Sequence, residues 1–237
     1  MNSETLNSIR DAEKKSHIEI YSSAKLFEKG SWLQKPVKTV MDLVSFFDGY
    51  DSVKFLDLGC GVGRNCIPLA EKFSNTDCNI DCVDILEFAI EELKKNSVYY
   101  SVDKSINGIV SSIDDYFISA DTYDMILAVS ALEHIDSPES FSKKLLEIRN
   151  GTKKNGIVCL IINSEVSEID IASGERLVPQ FEVNLKTEEL ISLLDKNFCG
   201  WKLINSKIVE QHYDIPRENC TAALSTNVVT FVVQNQT

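Results

Sequence analysis

The chain has 237 residues, 43% of them hydrophobic, and a formal net charge of −12 at pH 7. That size suits one α/β domain with a modest extension, and an acidic surface would repel a phosphate backbone, so no nucleic-acid partner is expected. No stretch approaches the roughly 18 consecutive apolar residues of a spanning helix, and Ser3, Glu4 and Asn7 do not begin a charged-then-apolar leader, so no membrane is expected and the chain reads as cytoplasmic.

Seven cysteines are scattered through the chain without a C-x-x-C spacing or partnered histidines. That pattern indicates neither a disulfide framework nor a metal site, and suits reduced core thiols. In residues 2–29, Leu6, Ile9, His17, Ile20, Ala24 and Phe27 recur at loose helical spacing, which predicts amphipathic helices lying over a sheet. Gly30-Ser31 ends them, and Pro36 opens a further helix with the stripe Val37, Val40, Met41, Val44 and Phe47. Residues 1–50 are therefore expected to form an N-terminal helical cap on a domain spanning 51–237.

Val53 to Leu58 reads as a strand buried on both faces. It runs into Gly59-Cys60-Gly61-Val62-Gly63, a turn where backbone can approach a ligand closely, and a helix is expected from Arg64 to Phe73. The spacing excludes two common ligands. A dinucleotide fingerprint would need glycine at Arg64 or at Cys66, and no Lys-Ser or Lys-Thr follows the turn as in a P-loop. Asp57, just before the turn, would repel a diphosphate and suits a ligand carrying positive charge, such as an amino group or a sulfonium.

Phe55-Leu56-Asp57-Leu58-Gly59-Cys60-Gly61-Val62-Gly63 resembles the first motif of the class I S-adenosylmethionine (SAM)-dependent methyltransferases. The resemblance implies that Asp57, Gly59 and Gly61 hold the methionine part of SAM, with Cys60, Arg64 and Asn65 as cofactor-side candidates of the same turn. It also implies that the N-terminal segment folds over the site, so that His17, Tyr21 and Trp32 face ligand, although core packing would equally account for Trp32.

A second strand, Cys78 to Val83, ends in Asp84, whose carboxylate offers two oxygens to a vicinal diol such as a ribose, with Ile85 beside it; Asp84 also suits a helix N-cap. A helix follows from Leu86 toward Val98, then a strand at Asn107–Val110. Ser112-Ile113 falls where the family places an acid and a small residue against adenine; Ser112 is the candidate there, or Asp114 if the loop slips. Tyr123 to Val129 is a fourth strand. Ser130-Ala131-Leu132-Glu133-His134-Ile135 leaves its end and resembles the family's fourth motif in small-molecule enzymes, making Ser130 and Leu132 cofactor-side candidates and His134 and Glu133 the catalytic ones. His134 would serve as base for a hydroxyl or protonated amine; a soft nucleophile needs none, and a structural role for the ring stays open. The Asp/Asn-Pro-Pro-Tyr/Phe signature of base and glutamine methylation is absent.

Ser137-Pro138-Glu139 begins a helix to about Arg149, and Ile157–Ile162 is a fifth strand. Residues 163–184 read as an irregular, lid-like insertion whose Arg176 and Gln180 could meet substrate, Arg176 being otherwise a solvated charge. A helix from Thr187 to about Lys196 and strands at Trp201–Val209 and Asn227–Val233 close the fold, with Tyr213 in a polar piece that could reach the rim. The expectation is an α/β, doubly wound, mostly parallel seven-stranded sheet with an antiparallel C-terminal strand. The resemblance implies methyl transfer from SAM, leaving S-adenosylhomocysteine, to a small-molecule acceptor: a thiol, metalloid oxyanion, hydroxyl or amine. Gly63-Arg64-Asn65 and the general layout resemble the tellurite-resistance (TehB-like) and thiopurine branch. Protein or RNA methylation and a non-catalytic SAM-binding module are the alternatives, and a monomer or homodimer is expected.

Overall fold

The structure, a computed structural model, describes residues 18, 21–22, 25–217 and 219–236. Its frame is a sheet of strands β1 (Ser52–Leu58), β2 (Asp77–Asp84), β3 (Ile106–Val110), β4 (Tyr123–Val129), β5 (Thr152–Asp170), β7 (Lys202–Pro216) and β8 (Thr221–Gln234), in the order β3-β2-β1-β4-β5-β8-β7, with the short β6 (Arg176–Leu177) paired to β5. Strands β1 to β5 run parallel, and β8 joins β5 antiparallel, as does β7 beside β8. The two central strands, β1 and β4, are mostly apolar, Phe55-Leu56 and Met125 to Val129 forming unbroken runs, because helices cover both faces. Phe55 and Met125 pair across one face, while Leu56 with Ile126 and Leu58 with Ala128 point to the other.

Among the described residues, five helices supply the covers: α1 (Lys38–Asp42), α2 (Cys66–Lys72), α3 (Glu87–Tyr99), α4 (Pro138–Gly151) and α5 (Thr187–Asn197). The first face packs Val40, Leu43 and Phe47 with Ile67, Leu69, Ile90 and Leu93; the second packs Phe141, Leu145 and Ile148 with Leu190 and Leu194. Helix α4 starts as its sequence predicts: Ser137 Oγ accepts from Ser140 N at 3.1 Å and Pro138 is the first helical residue. Strand order reverses between β2-β1 and β4-β5, so a crevice opens above the carboxyl ends of β1 and β4, the usual ligand position in such sheets.

Several elements differ from their sequence expectation. The helix expected from Arg64 begins at Cys66 because Gly63 has φ +102°, outside helical space, and Asn65 turns its Oδ1 to the Val37 amide at 3.0 Å. The cap helix expected over Pro36–Phe47 divides into α1 and a 3-10 turn at Val44–Phe47, where β-branched residues weaken helix continuity and the tighter turn brings both Leu43 and Phe47 into the core. The lid-like insertion expected over 163–184 starts later, since residues 163–170 continue β5 against β8. Their alternation is that of a strand, with Ser164, Val166 and Glu168 buried between exposed Glu165, Ser167 and Ile169. The charge of inward Glu168 disguised the pattern, and it is met by Arg217, whose Nε donates to Glu168 Oε2 at 2.8 Å. The closing strands are likewise longer than expected, so the 211–216 piece is strand.

Candidate active site

The glycine turn after β1 is a cradle shaped by close approach. Gly59 has φ +73° and Gly61 φ +52°; a Cβ on Gly59 would lie 2.4 Å from that of Ala131, and one on Gly61 would lie 2.7 Å from the Tyr21 hydroxyl. The Gly59 and Cys60 amides both donate to Val83 O, at 2.8 and 3.0 Å, which ties the turn to the tip of β2. From that tip Asp84 accepts two backbone amides, Gly61 N at 2.8 Å and Leu86 N at 2.9 Å, so its carboxylate is oriented at the mouth of the turn and holds the start of α3.

Opposite, Ser130 leaves β4 with φ +50°, a strained conformation for a non-glycine residue, its amide held by Ile161 O at 2.8 Å. A cavity of about 430 Å³ lies between these tips. It brings together many of the residues singled out in the sequence: Gly59, Cys60, Gly61, Arg64, Asn65, Asp84, Ile85, Ser112, Ile113, Ser130 and His134, with Tyr21, Trp32 and Tyr213. Over the turn, Arg64 lies 5.3 Å from the Trp32 ring and donates from Nε to Lys35 O at 2.8 Å, tying the segment from Trp32 to Lys35 to the turn.

Other expected residues lie elsewhere. The Asp57 carboxyl is not in the cavity wall; it is buried beneath the turn at 1% exposure. Burial, reinforced by the nearby Asp84 charge and opposed by a hydrogen bond from Cys66, pushes it up to about 8, and among the described residues its Oδ2 has no hydrogen-bond partner. Glu133 is also fully buried away from the cavity, raised by burial, with Oε1 accepting from the Asn163 amide at 3.2 Å. As the residue after Leu132 on a 3-10 turn, its side chain is directed into the sheet while that of His134 is directed out, which separates the two catalytic candidates. Leu132 is core, and Arg176 is exposed on β6, outside the cavity lining. The Ser112 hydroxyl donates to Asp115 Oδ2 at 2.8 Å and accepts from Asp115 N at 3.0 Å, capping its own loop. His17 lies outside the described residues.

The cavity also contains residues that sequence reasoning passed over. Ala131 packs on Gly59, and Glu182 sits against His134, with Glu182 Oε2 3.0 Å from Nδ1. Ala131 had a local signal as the small residue of the fourth motif. Glu182 had none, being 48 residues from its partner.

The sheet order and the glycine turn at its switch point are those of a Rossmann-like fold. Residues 55–156, less than half of the chain, match a family model described as a methyltransferase domain, and it is in this part that the chain carries a SAM-dependent methyltransferase domain. It is 25% identical over 197 residues to a tRNA N(3)-methylcytidine methyltransferase of Schizosaccharomyces pombe, covering 75% of this chain and 61% of that protein. With the mitochondrial ubiquinone biosynthesis O-methyltransferase of the same yeast it shares 30% identity over 159 residues, 61% of this chain and 54% of the relative. The chain thus spans less than two thirds of the length of these curated relatives. Among solved structures it superposes on TehB from Haemophilus influenzae with a TM-score of 0.63 at 18% identity, over 92% of this chain and 66% of that one. It also superposes on a 1,6-didemethyltoxoflavin N1-methyltransferase from Burkholderia thailandensis, solved with its substrate and S-adenosylhomocysteine, with a TM-score of 0.58 at 13% identity, over 99% and 89% of the chains. No helix among the described residues is long and apolar enough to cross a membrane.

Proposed function

We propose that the chain transfers the methyl group of SAM to a small-molecule acceptor bound in the same cavity. The observation that carries this reading is the meeting of the Gly59–Gly61 turn, the Asp84 carboxylate and His134 around one space of about 430 Å³, a size in the range of small-ligand pockets. The residues fit the cofactor chemically. Asp84 presents a carboxylate for vicinal hydroxyls, and Ile85 and Ile113 supply apolar walls for a base. The buried Asp57, with one oxygen lacking a partner among the described residues, provides latent negative charge under the turn for a cationic ligand end. SAM supplies a methyl group already activated by its sulfonium. The chain's part is therefore to hold the acceptor in line, exclude water and accept a proton where one must leave.

Titration calorimetry with SAM, followed by measurement of S-adenosylhomocysteine release against phenols, thiols, amines and tellurite, tests the reading. Binding together with acceptor-dependent release is expected; absence of SAM binding refutes it. A second reading, methylation of a tRNA base, is supported by the similarity to the S. pombe tRNA enzyme, while a net charge of −12 weighs against it. Adding unmodified tRNA to the panel separates the two, since only the RNA reading gives salt-sensitive turnover with tRNA.

A further inference from the structure

Resting on that methyltransferase reading, we propose that His134 and Glu182 form a proton-accepting dyad and that the acceptor is an aromatic hydroxyl compound. Glu182 is 1% exposed in its side chain and His134 23%, so the carboxylate stands behind the ring and the ring faces the cavity. With Nδ1 of His134 3.0 Å from Glu182 Oε2, an ionised carboxylate can only accept, so the proton belongs on Nδ1 and Nε2 becomes the basic nitrogen. Phe181 stacks on the imidazole at 5.2 Å and 24°, fixing the plane of the ring.

The segment that carries Phe181 and Glu182 is pinned on both sides. Val183 N donates to Glu133 O at 2.9 Å, Gln180 N donates to Glu168 Oε1 at 3.3 Å, and Arg217 donates to both Gln180 Oε1 and Glu168. A soft nucleophile would need none of this, because a thiol ionises readily near neutral pH, whereas a phenol stays protonated there. Tyr21 and Trp32, edge to face at 6.1 Å, line the cavity with Tyr213 and suit a flat ring. In the step, the hydroxyl proton passes to His134 Nε2 as the acceptor oxygen forms its bond to the methyl carbon. The carbon–sulfur bond breaks, and its electron pair stays on sulfur in the departing thioether.

The test compares phenol, protonated at neutral pH, with pentafluorophenol, already ionised there, and with thiophenol, in the full chain and in His134→Ala and Glu182→Gln. His134→Ala is expected to lower phenol turnover by about 100-fold and to leave pentafluorophenol turnover within about threefold. Glu182→Gln is expected to lower phenol turnover by about 10-fold or more through the wrong tautomer. Independently of turnover, ¹⁵N NMR of the histidines without SAM is expected to show His134 protonated on Nδ1, and Glu182→Gln to shift it towards the other tautomer. The charged groups around the ring are Glu182 at Nδ1, Glu133 buried on the far side of the turn and Asp114 in the same cavity lining, and a pH profile of phenol turnover that moves in Glu182→Gln reads the dyad against that background. Equal losses for phenol and pentafluorophenol, an unchanged tautomer, turnover of thiophenol alone, or SAM binding with no turnover of any of the three overturns the proposal. Failure of the unaltered chain to bind SAM overturns the methyltransferase reading instead.

Discussion

Replacing Gly59 by alanine separates the two reasons for glycine in the turn, because Gly200 shares one of them and not the other. Gly59 has φ +73° and Gly200 φ +86°, so alanine at either pays for left-handed backbone, about 1–2 kcal/mol. Around Gly200 an added Cβ meets nothing within 4 Å, whereas at Gly59 it falls 2.4 Å from the Cβ of Ala131. Ala131 cannot swing aside: it has no rotamer to change, is 6% exposed, and follows Ser130, whose amide is tied to Ile161 O at 2.8 Å. Relief therefore requires backbone movement, at the about 1–3 kcal/mol typical of overpacking. Gly59→Ala is expected to lose about 2–5 kcal/mol in urea unfolding with an unchanged slope, and Gly200→Ala about 1–2 kcal/mol. Calorimetry should show SAM affinity weakened in Gly59→Ala and retained in Gly200→Ala. Losses within about 0.5 kcal/mol of each other would refute the crowding argument.

Three further outcomes follow from buried charge. Asp84→Asn can accept only one of the Gly61 and Leu86 amides and turns an NH₂ group toward the other; SAM affinity measured by calorimetry should fall about 10-fold or more, and an unchanged affinity would remove Asp84 from the site. Asp57 rises from 3.8 to about 8 on folding, so between those values the folded chain holds a proton that the unfolded chain lacks, and stability falls as pH rises through that window. Asp57→Asn, which cannot ionise, should gain on the parent by up to about 1.4 kcal/mol per pH unit across it, and a gain that does not vary with pH would contradict the burial argument. Arg217→Ala leaves Glu168, 1% exposed, without its guanidinium, at an expected cost of about 3–5 kcal/mol in urea unfolding; the pair Arg217→Leu with Glu168→Leu should recover most of it.

Much of the cavity wall at the tips of β1 and β2 was legible because its signals are local. The apolar run into β1, glycines at alternate positions and an acid at the end of β2 each follow from backbone rules acting within a few residues. The structure then joins the Gly61 amide to Asp84 at 2.8 Å. The wall beyond β4 was less legible. Glu133 and His134 are both candidates for the reaction centre by sequence, but a 3-10 turn directs them to opposite sides. Residues 163–170 were read as loop because an inward glutamate breaks the apolar alternation, and its compensating arginine lies 49 residues on.

By itself the sequence determined that a parallel α/β sheet would form and that a glycine turn would stand at the tip of its first strand, since hydrophobic period and turn chemistry act over short distances. Only the tertiary structure decided that Asp57 lies under the turn rather than in the cavity, and that Glu182 stands behind His134. A carboxylate's role depends on which charges and how much water the folded chain brings to it, and those neighbours come from remote segments.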